Sequence, residues 1–335
     1  MSIRDVAAAA GVSYQTVSRV INGHPSVKPS TRDLVRAAIE DLGFRPNRAA
    51  RALAGGPVQS VTVLTADTTR YGYRAGLQGI EEAARAAGFA VGIRVLESAE
   101  PADIKDAVAR ATEPGAALIV IAYEKAGVLA LSALPPTVAA AAMVGIPEGD
   151  EGEGKPWVWL DDRKAAADAT RYLLGLGHHT VHYAAIPSPG RVDQRMAGWR
   201  SALEAAGAPV PAAVQCGWNP RSGYEAGLAL AADPAVTAIL GGNDDLALGV
   251  MRAMHEAGRA VPGDVSIVGF DDMPEAEFMN PALTTVRQDF ARLGRACFAT
   301  LLRLLDSSAA APAPWPEPEL IVRESAGPAR RAGAS

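Results

Sequence analysis

The stretch Gly11-Val12-Ser13-Tyr14-Gln15-Thr16-Val17-Ser18-Arg19-Val20-Ile21-Asn22 begins with a helix breaker and runs on as an amphipathic helix. Gly11 is a stop for whatever helix precedes it, because a helix commonly ends on a residue free to take positive φ. Ser13 carries an oxygen suited to cap the next N-terminus. Val17, Val20 and Ile21 recur at helical spacing and turn to one side, which leaves Tyr14, Gln15, Ser18, Arg19 and Asn22 on the other. A glutamine amide can pair with the edge of adenine and an arginine fork with guanine, so this outward face suits a major groove. The alternative is a solvated face, since any amphipathic helix exposes polar residues.

The flanks support a three-helix unit. Ile3, Val6, Ala7 and Ala10 form one apolar stripe, with Asp5 in the first turn where an acid favours the helix dipole. Beyond Asn22-Gly23-His24-Pro25, Pro29-Ser30-Thr31 opens a third helix with Leu34, Val35, Ala38, Ile39 and Leu42 inward and Gly43 as its stop. Three short helices, the first two joined by a glycine-bearing turn, make a helix-turn-helix plan.

Charge is divided unevenly along the chain. The net charge of −5 over 335 residues splits into +4 for residues 1–56 and −9 for the rest. A basic head on an acidic body is the asymmetry expected of a DNA reader joined to a sensor. The length predicts two or three domains. No run reaches the roughly 18 to 20 apolar residues a membrane span needs. Met1-Ser2-Ile3-Arg4-Asp5 is followed by no signal-peptide core, so a cytoplasmic location is expected, with no membrane partner. Cys216 and Cys297 have no metal-ligand spacing; two reduced thiols, no metal and no cofactor are expected.

Ile3-Arg4-Asp5-Val6-Ala7 and Val12 through Asn22 resemble the head of the LacI family of transcriptional regulators, and Tyr14-Gln15-Thr16 resembles its lactose-repressor branch. The similarity continues through Arg45-Pro46-Asn47-Arg48-Ala49-Ala50-Arg51-Ala52-Leu53. The resemblance implies base reading by Tyr14, Gln15, Thr16, Ser18, Arg19 and Asn22, and DNA-backbone contacts by Ser13, Lys28 and Thr31. It also implies a hinge helix that folds on the operator and enters the minor groove through Asn47, Ala50 and Leu53, the leucine wedged into a base step. A short arginine-containing stretch ending in Gly55-Gly56 is too short to be a stable helix alone, so folding on DNA would make it a switch. The alternative there is a plain linker.

From Val58 onward, apolar runs alternate with helical patterns, the βα alternation of parallel sheets covered on both faces. The expected architecture is a head at 1–46, a hinge helix or linker at 47–56, and an α/β core of two doubly wound subdomains at 57–327. The N-subdomain spans about 57–160 and 289–318, and the C-subdomain about 161–288 and 319–327; residues 328–335 are read as a disordered tail. Ligands of such folds bind at the C-terminal ends of strands, here in the cleft between subdomains. Leu176-Gly177-His178, Arg195-Met196-Ala197-Gly198-Trp199, Gly242-Asn243-Asp244-Asp245, Val265 to Asp272 and Pro281 to Phe290 resemble the family's periplasmic-binding-protein-like effector core.

That resemblance implies effector contacts from Arg195, Trp218, Asn243, Asp271, Gln288, Phe290, Asp67 and Leu160. Arg195, Asn243 and Asp271 also suit sugar chemistry on their own terms, because hydroxyls need donors and acceptors at fixed angles. Trp218 offers an aromatic face to a pyranose. The alternatives are helix caps for Asn243 and Asp271, a structural ion pair for Arg195 and core packing for Trp218. One departure stands out: Met143-Val144-Gly145 places Gly145 where the lactose-repressor branch has a sugar-binding aspartate. Asp67, Tyr71 and Tyr73 are candidates to replace that acceptor.

The tail carries no leucine heptad, so a homodimer on a pseudo-palindromic operator is implied rather than a tetramer. The expected function is a repressor released by a small sugar, with a galactoside favoured. Two other readings are a corepressor type, similar to the purine-responsive branch, and a response to a non-galactoside sugar. A transport binding protein shares the core's fold but lacks the head. No nucleophile elbow, P-loop or zinc spacing points to an enzyme, and the pairs Asp244-Asp245, Asp271-Asp272 and His178-His179 are neighbours whose side chains diverge.

Overall fold

The computed structural model describes residues 2–21, 26–44, 60–112, 116–145, 147, 152–188, 193–314 and 317–330. Asn22 and the expected hinge residues Asn47, Ala50 and Leu53 lie outside the described residues. The chain divides into two compact units, Met1–Gln59 and Ser60–Ser335.

In the first unit, α1 (Ile3–Ala9), α2 (Tyr14–Ile21) and α3 (Pro29–Asp41) pack around Val6, Ala7, Val17, Val35 and Ala38. Ser2 starts α1 with a reciprocal cap: Asp5 N donates to Ser2 Oγ at 3.4 Å and Ser2 N donates to Asp5 Oδ2 at 2.6 Å. Gly11 and Gly43 take positive φ, +63° and +57°, at the turns that follow α1 and α3. Ser13 caps α2 by accepting from Thr16 N at 3.1 Å. Leu34 departs from expectation: it is 59% exposed. Val35 and Ala38 centre the buried stripe of α3, and Leu34, about 100° around the helix from Val35, falls off its edge.

The second unit has two lobes. In the first, β1 (Ser60–Thr65), β2 (Ala90–Val95), β3 (Ala117–Ala122), β4 (Ala139–Val144) and β5 (Trp157–Val158) form a parallel sheet in the order β2-β1-β3-β4-β5. In the second, β6 (His182–Ala185), β7 (Val214–Gln215), β8 (Ala238–Gly241), β9 (Ser266–Asp271), β10 (Thr284–Arg287) and β11 (Glu319–Ile321) are ordered β11-β10-β9-β8-β6-β7. Among the described residues only the β10–β11 pairing is antiparallel. Every residue of β3, Ala-Leu-Ile-Val-Ile-Ala, is buried, as a central parallel strand covered on both faces requires.

The helices between strands are α4 (Tyr71–Ala86), α5 (Pro101–Ala111), α6 (Lys125–Ser132), α7 (Asp162–Gly175), α8 (Gln194–Ala205), α9 (Pro220–Ala231), α10 (Asp244–Glu256) and α11 (Phe290–Leu305). The backbone passes to the second lobe between Val158 and Asp162 and returns between Arg287 and Phe290. Both sheets reverse direction between their first and third strands, β1/β3 and β6/β8, which is where open α/β sheets bind ligands.

Residues 328–330, the described part of the expected tail, are held against the body. Ala329 N donates to Leu176 O at 2.9 Å and Arg330 pairs with Asp264 at 2.5 Å. His178, one of the tempting neighbouring pair, is buried and helps hold this segment, with Nδ1 3.0 Å from Thr237 Oγ1 and Nε2 3.1 Å from Gly327 O. Among the described residues no helix is long and apolar enough to cross a membrane.

Candidate functional site

A cavity of about 310 Å³ opens where the strand ends of the two lobes face each other. The first lobe contributes Arg70 to Tyr73 after β1, Tyr123 after β3 and Gly145 after β4. The second contributes Ile186 to Ser188 after β6, Trp218 after β7, Asn243 and Asp245 after β8, and Asp271 closing β9. Leu160 and Asp162, at the first crossing, and Phe290, at the return, complete it on the hinge side.

Arg195, on α8 and only 8% exposed, is the centre of the polar wall. Its Nε donates to Asp162 Oδ2 at 2.9 Å, and its Nη2 donates to Gln288 Oε1 at 3.0 Å and lies 3.7 Å from Asp271 Oδ1. Nη1 donates to Gly242 O, and Gln288 Nε2 closes the circuit by donating to Asp162 Oδ1. The guanidinium lies 4.1 Å from the Phe270 ring centroid. Burial works against its charge, but Asp162 and Asp271 outweigh that and hold its pKa above the ordinary value. Gln288, 2% exposed, braces this network from behind and does not line the cavity.

Asp271 faces the cavity from a backbone position of φ +113°, and Asp272 follows at +56°. Such angles are costly for non-glycine residues and persist where the surrounding structure over-determines them. They turn the two carboxylates apart: Asp272 accepts from Arg287 Nε at 2.8 Å and Arg323 Nη2 at 2.7 Å, which leaves Asp271 to the cleft. Burial pushes the Asp271 carboxyl well above the usual range, against the pull of Arg195 and with the help of Asp244. Asn243 both caps and bridges. Its Oδ1 accepts from Leu246 N at 2.8 Å, and its Nδ2 donates to Trp218 O at 3.1 Å.

Besides Gln288, one expected effector contact is corrected. Asp67 does not line the cavity: its Oδ1 accepts from Thr69 N, Thr69 Oγ1 and Arg70 N at 2.6, 2.8 and 3.0 Å, so the carboxylate is consumed in its own turn. Trp218 does line the cavity, but Arg70 of the opposite lobe lies 4.8 Å from its ring centroid and covers one face. Arg70 is itself tethered by Glu124 and by Asp67, the latter at 3.3 Å. Tyr71 and Tyr73 stand on the wall as anticipated, and a Cβ built on Gly145 would meet nothing within 4 Å.

Arg70, Tyr123, Asp162, Asp193 and Asp245 were not among the expected effector contacts. Tyr123 was reachable, since it follows a β3 legible as an apolar run at the sheet's reversal point. Asp193 is claimed partly by α8, whose Met196 N donates to its Oδ1 at 3.0 Å.

Behind the cavity, Asp244 is fully buried and accepts from Thr285 Oγ1 at 2.5 Å and Met273 N at 2.8 Å. Burial outweighs these bonds and pushes its pKa up to about 7. An acid whose folded pKa lies above its unfolded value of about 3.9 stabilises the fold fully below that pH and loses the contribution as pH rises to the folded value. Relative to Asp244→Asn, the wild type should therefore lose up to about 1.4 kcal/mol per pH unit on going from pH 5 to 7. Urea titrations of both proteins at several pH values test this, and parallel profiles would refute it.

In the head, Tyr14, Gln15 and Arg19 are exposed on α2, while Thr16 and Ser18 are half-buried. The Thr16 hydroxyl is shared with Ser13 Oγ at 2.9 Å. Ser13 precedes α2, and Lys28 and Thr31 stand at the start of α3.

A three-helix unit with a polar second helix, followed in sequence by a two-lobed α/β body with a cavity at its strand ends, defines a helix-turn-helix regulator with a ligand-binding core. The sequence profile of bacterial regulatory proteins of the lacI family matches residues 2–47, and that of the periplasmic binding protein-like domain matches residues 170–326. The lactose operon repressor of Escherichia coli (strain K12) is 31% identical over 315 residues, covering 92% of this chain and 86% of the repressor. Among solved structures, the lac repressor dimer bound to operator and the anti-inducer ONPF is similar with a TM-score of 0.85 at 29% identity, over 97% of this chain and 98% of that one. The complex of the transcriptional regulator CelR with cellobiose gives 0.68 at 27% identity, over 97% and 99%. The chain belongs to the LacI family of bacterial transcriptional regulators.

Proposed function

We propose that this regulator is a cytoplasmic, homodimeric repressor whose hold on a pseudo-palindromic operator is released by an uncharged sugar bound between the lobes. The observation that carries this reading is the composition of the cavity. One side presents Arg195, Asp271 and Asn243, which match the hydroxyl edges of a sugar. Aromatic rings at Phe290, Tyr71 and Trp218 match its apolar C–H faces. The volume lies at the small end of the range for ligand pockets, suitable for a mono- or disaccharide. A sugar can release DNA only by binding the released arrangement more tightly than the DNA-bound one.

In the head, Tyr14, Gln15 and Arg19 are the base readers, because they alone of the described base-reading candidates are exposed. Ser13, Lys28 and Thr31, at helix starts, suit phosphate contacts. The hinge roles of Asn47, Ala50 and Leu53 rest on the sequence resemblance. Arg19→Ala should lower the preference for operator over random DNA by about 10- to 100-fold, the worth of a bidentate base contact, and leave weak, salt-sensitive binding. Fluorescence anisotropy with both DNAs measures that ratio, and an unchanged ratio removes Arg19 from base reading.

A second reading of the effector, a non-galactoside disaccharide, is favoured by the open space beside Gly145 and by the similarity to the CelR–cellobiose complex. The deciding experiment titrates operator-bound protein with lactose, isopropyl thiogalactoside and cellobiose. Release by one of them is expected. Tightening by every active sugar would make the protein a corepressor type, and no response to any sugar would overturn the sugar reading.

A further inference from the structure

The outer end of the cavity is bridged by a contact between the lobes. The backbone crosses from lobe to lobe after β5 and after β10, whereas Arg70 follows β1 and Trp218 follows β7, the strand at the far edge of the second sheet. There the guanidinium carbon of Arg70 lies 4.8 Å from the centroid of the Trp218 ring, a cation over an aromatic face. Both partners are held in place. Arg70 pairs with Glu124 through Nη1 and with Asp67 Oδ2 at 3.3 Å through Nε, and Asp67 Oδ1 also accepts from Arg70 N at 3.0 Å. The carbonyl of Trp218 accepts from Asn243 Nδ2 at 3.1 Å.

This contact sets what the outer end offers to a ligand. Packed carbon atoms stand about 3.5–4.0 Å apart, so a pyranose between the guanidinium and the indole would need roughly twice that separation. The covered face of Trp218 is therefore closed to a sugar ring as long as Arg70 stays tethered. In its place stands a guanidinium, which has donors and no acceptor. The Arg70 side chain lines the cavity and keeps 32% of its surface exposed, and neither carboxylate contact engages Nη2, so N–H groups remain for a ligand oxygen. Asp67 and Glu124 offset its charge, which weakens the attraction for an anion and leaves the capacity to donate.

The second lobe sets the direction in which a sugar points. Asp271 closes β9, Asn243 follows β8 and Trp218 follows β7, in a sheet ordered β9-β8-β6-β7 at this end. A ring held against Arg195, Asp271 and Asn243 thus turns its outward substituent toward Arg70. We propose that Arg70 is a specificity-determining residue that donates to oxygens of that substituent, and so selects glycosides whose second group is itself a sugar over those with an apolar aglycone. The inference rests on the sugar-effector reading above and narrows its ligand class. It also gives Trp218 a second role, that of holding Arg70 in place.

The test is calorimetric titration of the full chain with two matched pairs, lactose against isopropyl β-galactoside and cellobiose against isopropyl β-glucoside. Within each pair the first ring is the same and only the second group differs. In a pair that the wild type binds, the disaccharide should bind more tightly, and Arg70→Leu should shrink the ratio of the two affinities by about 10-fold, the lower worth of a hydrogen bond to a charged group. Arg70→Lys keeps a donor and the counter-charge for Asp67 and Glu124, and should retain part of the preference. A wild type that prefers the isopropyl member would overturn the proposal, and so would a ratio in Arg70→Lys as low as in Arg70→Leu. Equal losses of both affinities in Arg70→Leu would overturn it too, because that is the result expected of a brace between the lobes and nothing more. Failure of both pairs to bind the wild type would instead sink the effector reading, and the proposal with it, whereas an unchanged ratio in variants that still bind sugar sinks the proposal alone.

Discussion

Arg195→Met is expected to lower stability by about 3 kcal/mol and to remove the response to effector. Removing one partner of a buried ion pair leaves the other charge uncompensated, which typically costs about 3–5 kcal/mol, whereas methionine retains most of the arginine stem's packing. Here Asp162 and Asp271 lose their counter-charge together, Gln288 Oε1 loses its donor, and Gly242 O loses the guanidinium that covers it. The lower end of the range applies because Asp162 keeps access to the cavity and can be solvated there. The deficit should depend on pH. Without Arg195, the Asp271 carboxyl loses the charge that opposes its burial and resists ionisation still more strongly, so the variant gains on the wild type as pH falls and loses ground as pH rises. Urea unfolding at pH 5 and pH 8 measures this, and a deficit that is equal at both, or below 1 kcal/mol at pH 8, would show that the network does not hold the lobe together.

Gly79→Ala should be as damaging although no charge is involved. A Cβ built at Gly79 lies 1.9 Å from Ala291 O and 2.7 Å from Ala291 C, where α4 crosses α11. Both obstacles are backbone, so no rotamer change relieves them and the helices must separate. Overpacking commonly costs about 1–3 kcal/mol where side chains can adjust, and more is expected where they cannot. Gly76 and Gly294 belong to the same crossing, since a Cβ at Gly294 would lie 2.2 Å from Gly76 O. This close approach matters to the site because α4 carries Tyr71 and Tyr73 and α11 begins with Phe290. Loss of effector binding should accompany the loss of stability. Gly175→Ala is the control, since its Cβ would meet nothing within 4 Å and should be neutral or slightly stabilising. Thermal unfolding of the two variants decides the matter, and equal behaviour would mean that the α4–α11 contact is softer than its geometry indicates.

Several elements escaped the sequence for identifiable reasons. β4 begins with four alanines, Ala139 to Ala142, which carry no β-branched signal, and it is a strand because β3 and β5 flank it. In α9, Gly223 and Gly227 sit inside the helix and blur its periodicity; both are there because α10 passes within 3 Å of where their side chains would be. Leu34 was placed inward because its type is apolar, and only the packing of three short helices shows that it is left outside. Asp67 was a reasonable candidate acceptor until Thr69 and Arg70 turned back onto it.

What the sequence determined by itself was local: the caps and stops of the three helices at the head, the βα alternation of the body, and residue types able to read bases and bind a sugar. Periodicity and turn chemistry act over a few residues, so they can be read from a few residues. The tertiary structure decided which of those residues meet. Arg195 reaches Asp162 across 33 positions, Gln288 across 93, and Gln288 reaches Asp162 across 126. Arg70 covers Trp218 only because two sheets bring their strand ends to one cleft, and Tyr73 meets Tyr123 because β1 and β3 are neighbours in the first sheet. Burial and partnership belong to the assembled packing, and no window along the chain contains them.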